Sequence, residues 1–229
     1  SESYSDNVMD KGPAIGHIDD PYVSFYMWED VEGSGNNTPT QYWNGVYEGI
    51  AAANQALEAI ADNNFGAEAN AYKGEALVAR AYGHFMLSVF FAKAYNIAGD
   101  NSSPGIPYVD TPEKVALKSY DRETVKDTYD KIRKDLEEGL PLLQGGKWKV
   151  PKYHFTSAAA NAFAARFYMF TGEWDKAIAA ANNVFPGGDY SGKIRPITTT
   201  IQNYSLAQQL IELTKADKDY NLLLRETYS

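Results

Sequence analysis

Residues 74–96 read GEALVARAYGHFMLSVFFAKAYN. The segment is nearly apolar, yet Arg80 and His84 stand one helical turn apart inside it. Between Arg80 and Lys93 only the histidine can take up a charge. That run is shorter than the roughly 18 apolar residues a membrane-spanning helix needs. Its apolar residues also refuse a single face. Leu77, Ala81, Phe85 and Val89 form one stripe, and Val78, Tyr82, Met86 and Phe90 form the next. A helix apolar over most of its circumference is buried among other helices. The chain must therefore surround this segment and supply a partner for the guanidinium, because a buried arginine has to be paired. Glu75 and His84 are poorly spaced for that task, so the partner is expected from another element, as a structural ion pair. Gly74 and Glu75 suit the first turn of this helix and Lys93 its last, by the helix-dipole rule.

Helical periodicity governs most of the remaining sequence. QYWNGVYEGIAAANQALEAI, residues 41–60, places Trp43, Val46, Tyr47, Ile50, Ala53, Asn54, Leu57 and Ile60 on one broad stripe, with Thr40 as the expected cap. YDRETVKDTYDKIRKDLEEGLPLL repeats Val125, Tyr129, Ile132, Leu136 and Leu140 at intervals of three and four, with Asp121 as cap and Pro141 as terminator. TSAAANAFAARFYMFTG and EWDKAIAAANNVF predict two more helices joined at Gly172, and SLAQQLIELTKA a last one capped by Ser205. The clearest strand candidates are short and isolated, such as KWKVPKYHF. The expected class is all-α, with long irregular segments at 1–39, 95–121 and 186–204. Loops beyond about 12–15 residues are uncommon and often functional.

The two helices around Gly172 follow a tetratricopeptide spacing: Tyr168, Gly172, Trp174, Ala177 and Ile178. Gly172 supplies the positive φ that ends the first helix. Ala177 lets the axes approach, and Trp174 is expected to wedge between the pair. The Arg80 helix and the helix after residue 121 would make a second such pair, interrupted by the 95–121 insertion.

A net charge of −9 opposes nucleic acid, whose phosphates need a basic footprint, and opposes an electrostatic hold on anionic lipid. With no cysteine there can be no disulfide, thiolate nucleophile or zinc–thiolate site. The HExxH, P-loop, GxSxG and calcium-loop patterns are absent from the sequence. His17, His84 and His154 are scattered, so no metal and no cofactor are expected. Glu29, Asp30 and Glu32 could in principle form a glycosidase pair, but a solvated acidic loop accounts for them better.

The succession QYWNGVYEGIAAANQALE, KGEALVARAYGHFMLSVFFAKAYN, PGIPYVDTPE, DRETVKDTYDKIRKDLEEGLPLL, YHFTSAAANAFAARFYMFTGEWDKAI and NLLLRETYS resembles the SusD-like (RagB/SusD) family of Bacteroidetes outer-membrane lipoproteins. Each block alone is weak, but the order over residues 41–229 is specific. The resemblance implies a tetratricopeptide-like helical scaffold with a loop-rich second lobe and no catalytic activity. It implies an extracellular-facing protein, held to the outer membrane by a lipidated N-terminal cysteine that this chain does not contain. The implied function is capture of an oligosaccharide or polysaccharide for import by a TonB-dependent SusC-like transporter. Residues 1–229 are accordingly expected to be the N-terminal helical domain of a longer chain. A tetratricopeptide scaffold that binds protein is the alternative, and a helical glycosidase a remote one.

Sugars present apolar C–H faces and rings of hydroxyls, which proteins grip with exposed aromatic platforms flanked by amides and carboxylates. Two stretches have that makeup. DDPYVSFYMWEDVEGSGNNT carries Tyr22, Phe25, Tyr26, Trp28, Asn36 and Asn37. AYNIAGDNSSPGIPY carries Tyr95, Asn96, Asp100, Asn101 and Tyr108. The expected ligand-binding residues are Trp28, Tyr95, Asn96, Asp100 and Asn101. Trp148 could stack on sugar, but a turn residue packed on the following helix is the preferred account.

Overall fold

The structure is a computed structural model describing residues 9, 12, 21–63, 65–115, 118–215 and 217–223. The chain divides into two compact units, Ser1–Glu48 and Gly49–Ser229. The described residues form seven α-helices and no strand. The helices are α1 (Tyr22–Met27), α2 (Pro39–Asn63), α3 (Asn70–Phe91), α4 (Val125–Leu142), α5 (Ser157–Thr171), α6 (Trp174–Val184) and α7 (Leu206–Leu213). The all-α class is therefore observed. The KWKVPKYHF segment is no strand but contains a single 3₁₀ turn, Pro151–Tyr153.

Several expected boundaries shift, each for a local reason. The first turn of α2 is capped by Thr38 rather than Thr40: its hydroxyl accepts the Gln41 N–H at 3.2 Å. Helix α3 starts a turn before Gly74, at Asn70, and stops at Phe91, so Lys93 lies beyond its end. Helix α4 begins at Val125 under the Thr124 hydroxyl, which accepts the Asp127 N–H at 3.0 Å; Asp121 is not its cap. Pro141 sits inside its last turn rather than after it. Ser205 does cap α7, in a capping box with Gln208.

In the larger unit α3 packs along α4, and α5 along α6, giving the two predicted pairs. Their shared core contains Val78, Ala81, Phe85, Tyr129, Ile132, Leu136, Phe163 and Phe167. Helix α3 buries residues on all sides, as its composition demands: Leu77, Val78, Arg80, His84, Phe85 and Leu87 are all enclosed. The α3–α4 crossing is set by two glycines. A Cβ on Gly139 would lie 2.9 Å from the Gly74 carbonyl oxygen, and one on Gly74 would lie 2.7 Å from the Gly139 oxygen. The backbones thus touch where neither residue has a side chain. Helices α5 and α6 approach instead through alanines, with Ala159, Ala160, Ala164, Ala177 and Ala180 all buried.

Gly172 ends α5 in the left-handed region (φ 76°, ψ 17°). The Glu173 N–H then reaches the Tyr168 carbonyl at 2.9 Å and the Gly172 N–H the Met169 carbonyl at 3.4 Å. This is the paired bonding of a Schellman motif, and it reverses the chain in one residue. The expectation for Trp174 is corrected here. The ring is 57% exposed rather than wedged between the helices, and Ile178 one turn on is exposed too. An interface made of alanines leaves no space for an indole, so α6 turns its large side chains outward.

Two stability outcomes follow. Gly139→Val should lower unfolding free energy by about 1–3 kcal/mol, as overpacking does, measured by urea denaturation. Trp174→Ala, acting at an exposed site, should change it by less than about 1 kcal/mol in the same assay.

Candidate functional site

The segment between α3 and α4 is ordered by a buried polar cluster. The Arg80 guanidinium makes a bidentate pair with Asp135 of α4, Nε to Oδ2 at 2.6 Å and Nη2 to Oδ1 at 2.7 Å. Its remaining nitrogen donates to the Asn54 amide oxygen at 2.9 Å and to the Asp110 backbone carbonyl at 2.8 Å. Asn54 in turn donates to the Val109 carbonyl at 2.9 Å. The Tyr108 hydroxyl donates to Asp135 at 2.6 Å. Burial alone would lower the arginine's pKa, but the hydrogen bonds and charge of Asp135 outweigh it and raise the value. Burial and the adjacent carboxylate push the Tyr108 phenol well up. The structural ion pair expected for Arg80 is thus present, with its partner on the neighbouring helix.

His84 completes the cluster. Its Nδ1 lies 2.9 Å from the Arg80 carbonyl, and its Nε2 lies 3.0 Å from the Val109 amide nitrogen. Only one tautomer serves both contacts: Nδ1–H donates to the carbonyl, and bare Nε2 accepts the amide. The ring stacks on Tyr108 at 3.8 Å between centroids. Tyr108 is therefore a buried brace, not an exposed platform, which corrects its place among the candidate sugar contacts. Ile106 and Val109 are buried with it. Pro104 bridges Thr124, the Gly105 N–H donates to the Glu123 carbonyl at 2.6 Å, and the Arg122 side chain donates to the Gly105 carbonyl at 2.7 Å. The insertion behaves as a further layer laid over α3 and α4, and it lifts residues 95–103 to the surface.

The structure brings Tyr95, Asn96, Asp100 and Asn101 together in that surface loop, but it gives them different work. Asn101, at φ 54°, accepts the Asn96 N–H at 2.7 Å and donates to the Asn96 carbonyl at 2.9 Å. The Asn96 amide oxygen accepts the Ala98 N–H at 3.1 Å. These amides close the loop on itself, as Asn side chains do in tight turns. Tyr95 is half-buried, its ring centroid 4.7 Å from that of Tyr129. Asp100 is exposed at the tip. It accepts the Ser102 N–H at 3.2 Å, and this backbone bond, with the Ser102 hydroxyl, holds its carboxyl below the ordinary range. Ile97 seats against Gly172: a Cβ there would lie 2.7 Å from an Ile97 methyl.

Trp28 belongs to the smaller unit. It ends α1 in the left-handed region (φ 58°) and is 74% exposed. Tyr22 and Tyr26 are partly exposed beside it in sequence, Phe25 is buried, and Asn37 donates to the Tyr22 hydroxyl at 2.8 Å. Glu29, Asp30 and Glu32 are all exposed, as a solvated loop requires.

Beside the insertion, a cleft of about 590 Å³ is lined by Asn54, Leu57, Asp110, Pro112, Lys114 and Lys118, among others. Among the described residues no group of three histidine, aspartate or glutamate side chains is placed to hold a metal. No described helix is long and apolar enough to cross a membrane.

The sequence had signalled the arginine and the loop but not their connection. Asp135 lies inside the Ile132–Leu136 stripe of α4, and a carboxylate on an apolar stripe was the available sign of a buried partner.

Against known families, residues 4–169 match a SusD-like family model described as starch-binding associating with outer membrane. The chain belongs to the SusD-like family. Similar solved structures include a SusD superfamily protein from Bacteroides fragilis, 26% identical at a TM-score of 0.60, covering 80% of this chain and 41% of its own. A SusD-like carbohydrate binding protein from Bacteroides vulgatus is 22% identical at 0.58, covering 67% and 33%. A laminarin binding SusD-like protein is 22% identical at 0.54, covering 71% and 32%. The likeness to the last two is one of fold. The chain spans less than half the length of each of these family members. No curated protein matches the sequence.

One pH effect is built into this family member. Burial, aided by the charges of Arg80 and Lys131, pushes the His84 imidazole down to about 3. An unfolded histidine protonates near pH 6.5. Between those values the unfolded chain binds the extra proton, so stability falls as pH drops through this window. Urea unfolding from pH 7 to pH 4.5 should show a His84-dependent loss of up to about 1.4 kcal/mol per pH unit, absent in His84→Gln.

Proposed function

We infer that this chain is the N-terminal helical part of a cell-surface glycan-binding protein. It captures oligosaccharide and passes it to a SusC-like TonB-dependent transporter at the outer membrane. The observation that carries the reading is the family match over residues 4–169, with its starch-binding, outer-membrane description. The carbohydrate and laminarin binders of the same fold support the ligand class. An exposed loop braced by a buried ion-pair cluster supports a binding role, because rigid presentation lowers the entropy lost on capture. The protein is read as a non-enzyme that holds its ligand by stacking and hydrogen bonds and is anchored through a lipid on the extracellular side.

In this reading Tyr95 and Asp100 meet the sugar, and Asn96 and Asn101 set the loop that presents them. Trp28, in the other unit, is a separate stacking platform. Trp174 and Ile178, exposed one turn apart on α6, are the observation that favours a protein-docking role for the scaffold as well. The transporter would be such a partner.

Isothermal titration with laminarin and starch oligosaccharides tests the ligand class. Binding without reducing-sugar release supports it, and reducing-sugar release would move the protein among the glycosidases. Asp100→Ala should weaken binding about tenfold, the loss of one charge-assisted hydrogen bond, with an unchanged melting temperature. Full-strength binding by that variant would remove the loop tip from the site.

A further inference from the structure

The turn that joins α4 to α5 builds a second cleft, at the opposite end of α3 from the 95–103 loop. It measures about 380 Å³, inside the range of about 300–1,000 Å³ typical of small-ligand sites. Two aromatic rings line it, Tyr72 from the first turn of α3 and Trp148 from the turn itself, together with Asn70, Gln144, Glu68 and Lys147. Its lining thus combines apolar ring faces with amide donors and acceptors, and with one charge of each sign.

What distinguishes the cleft is how firmly Trp148 is held. Its indole N–H donates to the Glu75 carboxylate at 2.8 Å. The same carboxylate takes the His154 ring nitrogen at 2.8 Å and the Phe155 N–H at 3.1 Å. The His154 ring stacks on the indole at 5.8 Å between centroids. The six-membered ring also comes close to Gly146, where a Cβ would collide with it. One carboxylate on α3 therefore ties down the indole, the His154 ring that stacks on it and the Phe155 amide. Tyr72, on the same cleft, is 55% exposed. A ring locked before any ligand arrives loses little entropy when something stacks on it.

We propose that this cleft is a second saccharide site, which takes a neutral hexose unit between Trp148 and Tyr72, with Asn70 and Gln144 reading its hydroxyls. A neutral sugar fits better than an acidic or basic one. Glu68 and Lys147 bring one charge of each sign to the lining, and the chain as a whole is acidic. The proposal rests on the glycan-binding reading above and extends it from one contact surface to two. Two sites on one scaffold would hold a long glycan at two points, and linked contacts raise avidity beyond either alone.

The test uses the indole N–H signals of the chain's four tryptophans in ¹H–¹⁵N spectra, with Trp148 assigned through Trp148→Phe and Trp28 through Trp28→Phe. The probes are laminarihexaose and maltohexaose. The expected result is a saturable shift of the Trp148 signal that is lost in Tyr72→Ala and reduced in Gln144→Ala. Both substitutions are outside the core, and an unchanged melting temperature confirms that each variant folds. If Trp28 shifts, or Asp100→Ala weakens binding, while Trp148 stays still, the second site is overturned and the main reading stands. A Trp148 shift that survives Tyr72→Ala also overturns the site. Silence from every tryptophan, with no heat in the titration, overturns both readings together.

Discussion

The bidentate pair between Arg80 and Asp135 is the contact on which the larger unit depends. Two charges taken out of water are stable only when their remaining hydrogen-bonding capacity is met. Here that requirement recruits the neighbours. Arg80 has donors left over, and the Asn54 side chain and the Asp110 carbonyl accept them. Asp135 has acceptor capacity left over, and Tyr108 fills it. Each satisfied valence ties down a different part of the chain: α2 through Asn54, α4 through Asp135, and the insertion through residues 108–110. An apolar substitute at position 80 could fill the same volume but could not gather three elements by direction. The bland-looking polar residues of the core thereby decide where residues 108–110 of the long connection between α3 and α4 lie.

This arrangement explains how a long loop can be irregular and still fixed. A connection without secondary structure must find partners for its backbone outside itself. His84 supplies one by presenting a bare ring nitrogen to the Val109 amide, and Asn54 supplies another by donating to the Val109 carbonyl. A protonated His84 could not accept that amide, so the neutral ring is part of the loop's architecture. The surface tip then needs only its own asparagines to close. In the SusD-like family setting, this makes the 95–103 loop a presented element on a rigid frame, consistent with function residing in loops positioned by a scaffold.

Much of this was legible in the sequence, and what was missed has a common cause. The helices, their pairing and the Gly172 reversal follow from periodicity and one positive-φ residue, which are local signals. The need for an arginine partner was also visible, since it is a matter of burial. Its identity was not, because pairing across 55 residues depends on tertiary register. Caps shifted by two to three residues at α2 and α4, where Thr40 competed with Thr38 and Asp121 with Thr124; composition offers several capping side chains, and only backbone geometry selects one. The motif position predicts packing for Trp174, whereas the alanines around it make an interface too narrow for an indole. The aromatic and amide residues of the 95–101 loop were recognised as a group. Their division between holding the loop and facing solvent required distances. For Trp148 the sequence suggests packing on the following helix, but the carboxylate that anchors it is Glu75 of α3, 73 residues earlier.

The seat of Ile97 against Gly172 has a bearing on how such a loop can diversify. One end of the tip is pinned by that contact and the other by the Asn101 clasp on Asn96. Gly99 between them has no room either, since a Cβ there would meet the Asn96 side chain. Only the side chains at 98 and 100 are left to vary without dismantling the frame. The tip therefore works as a two-position cartridge, in which chemistry can be exchanged while the holder is kept.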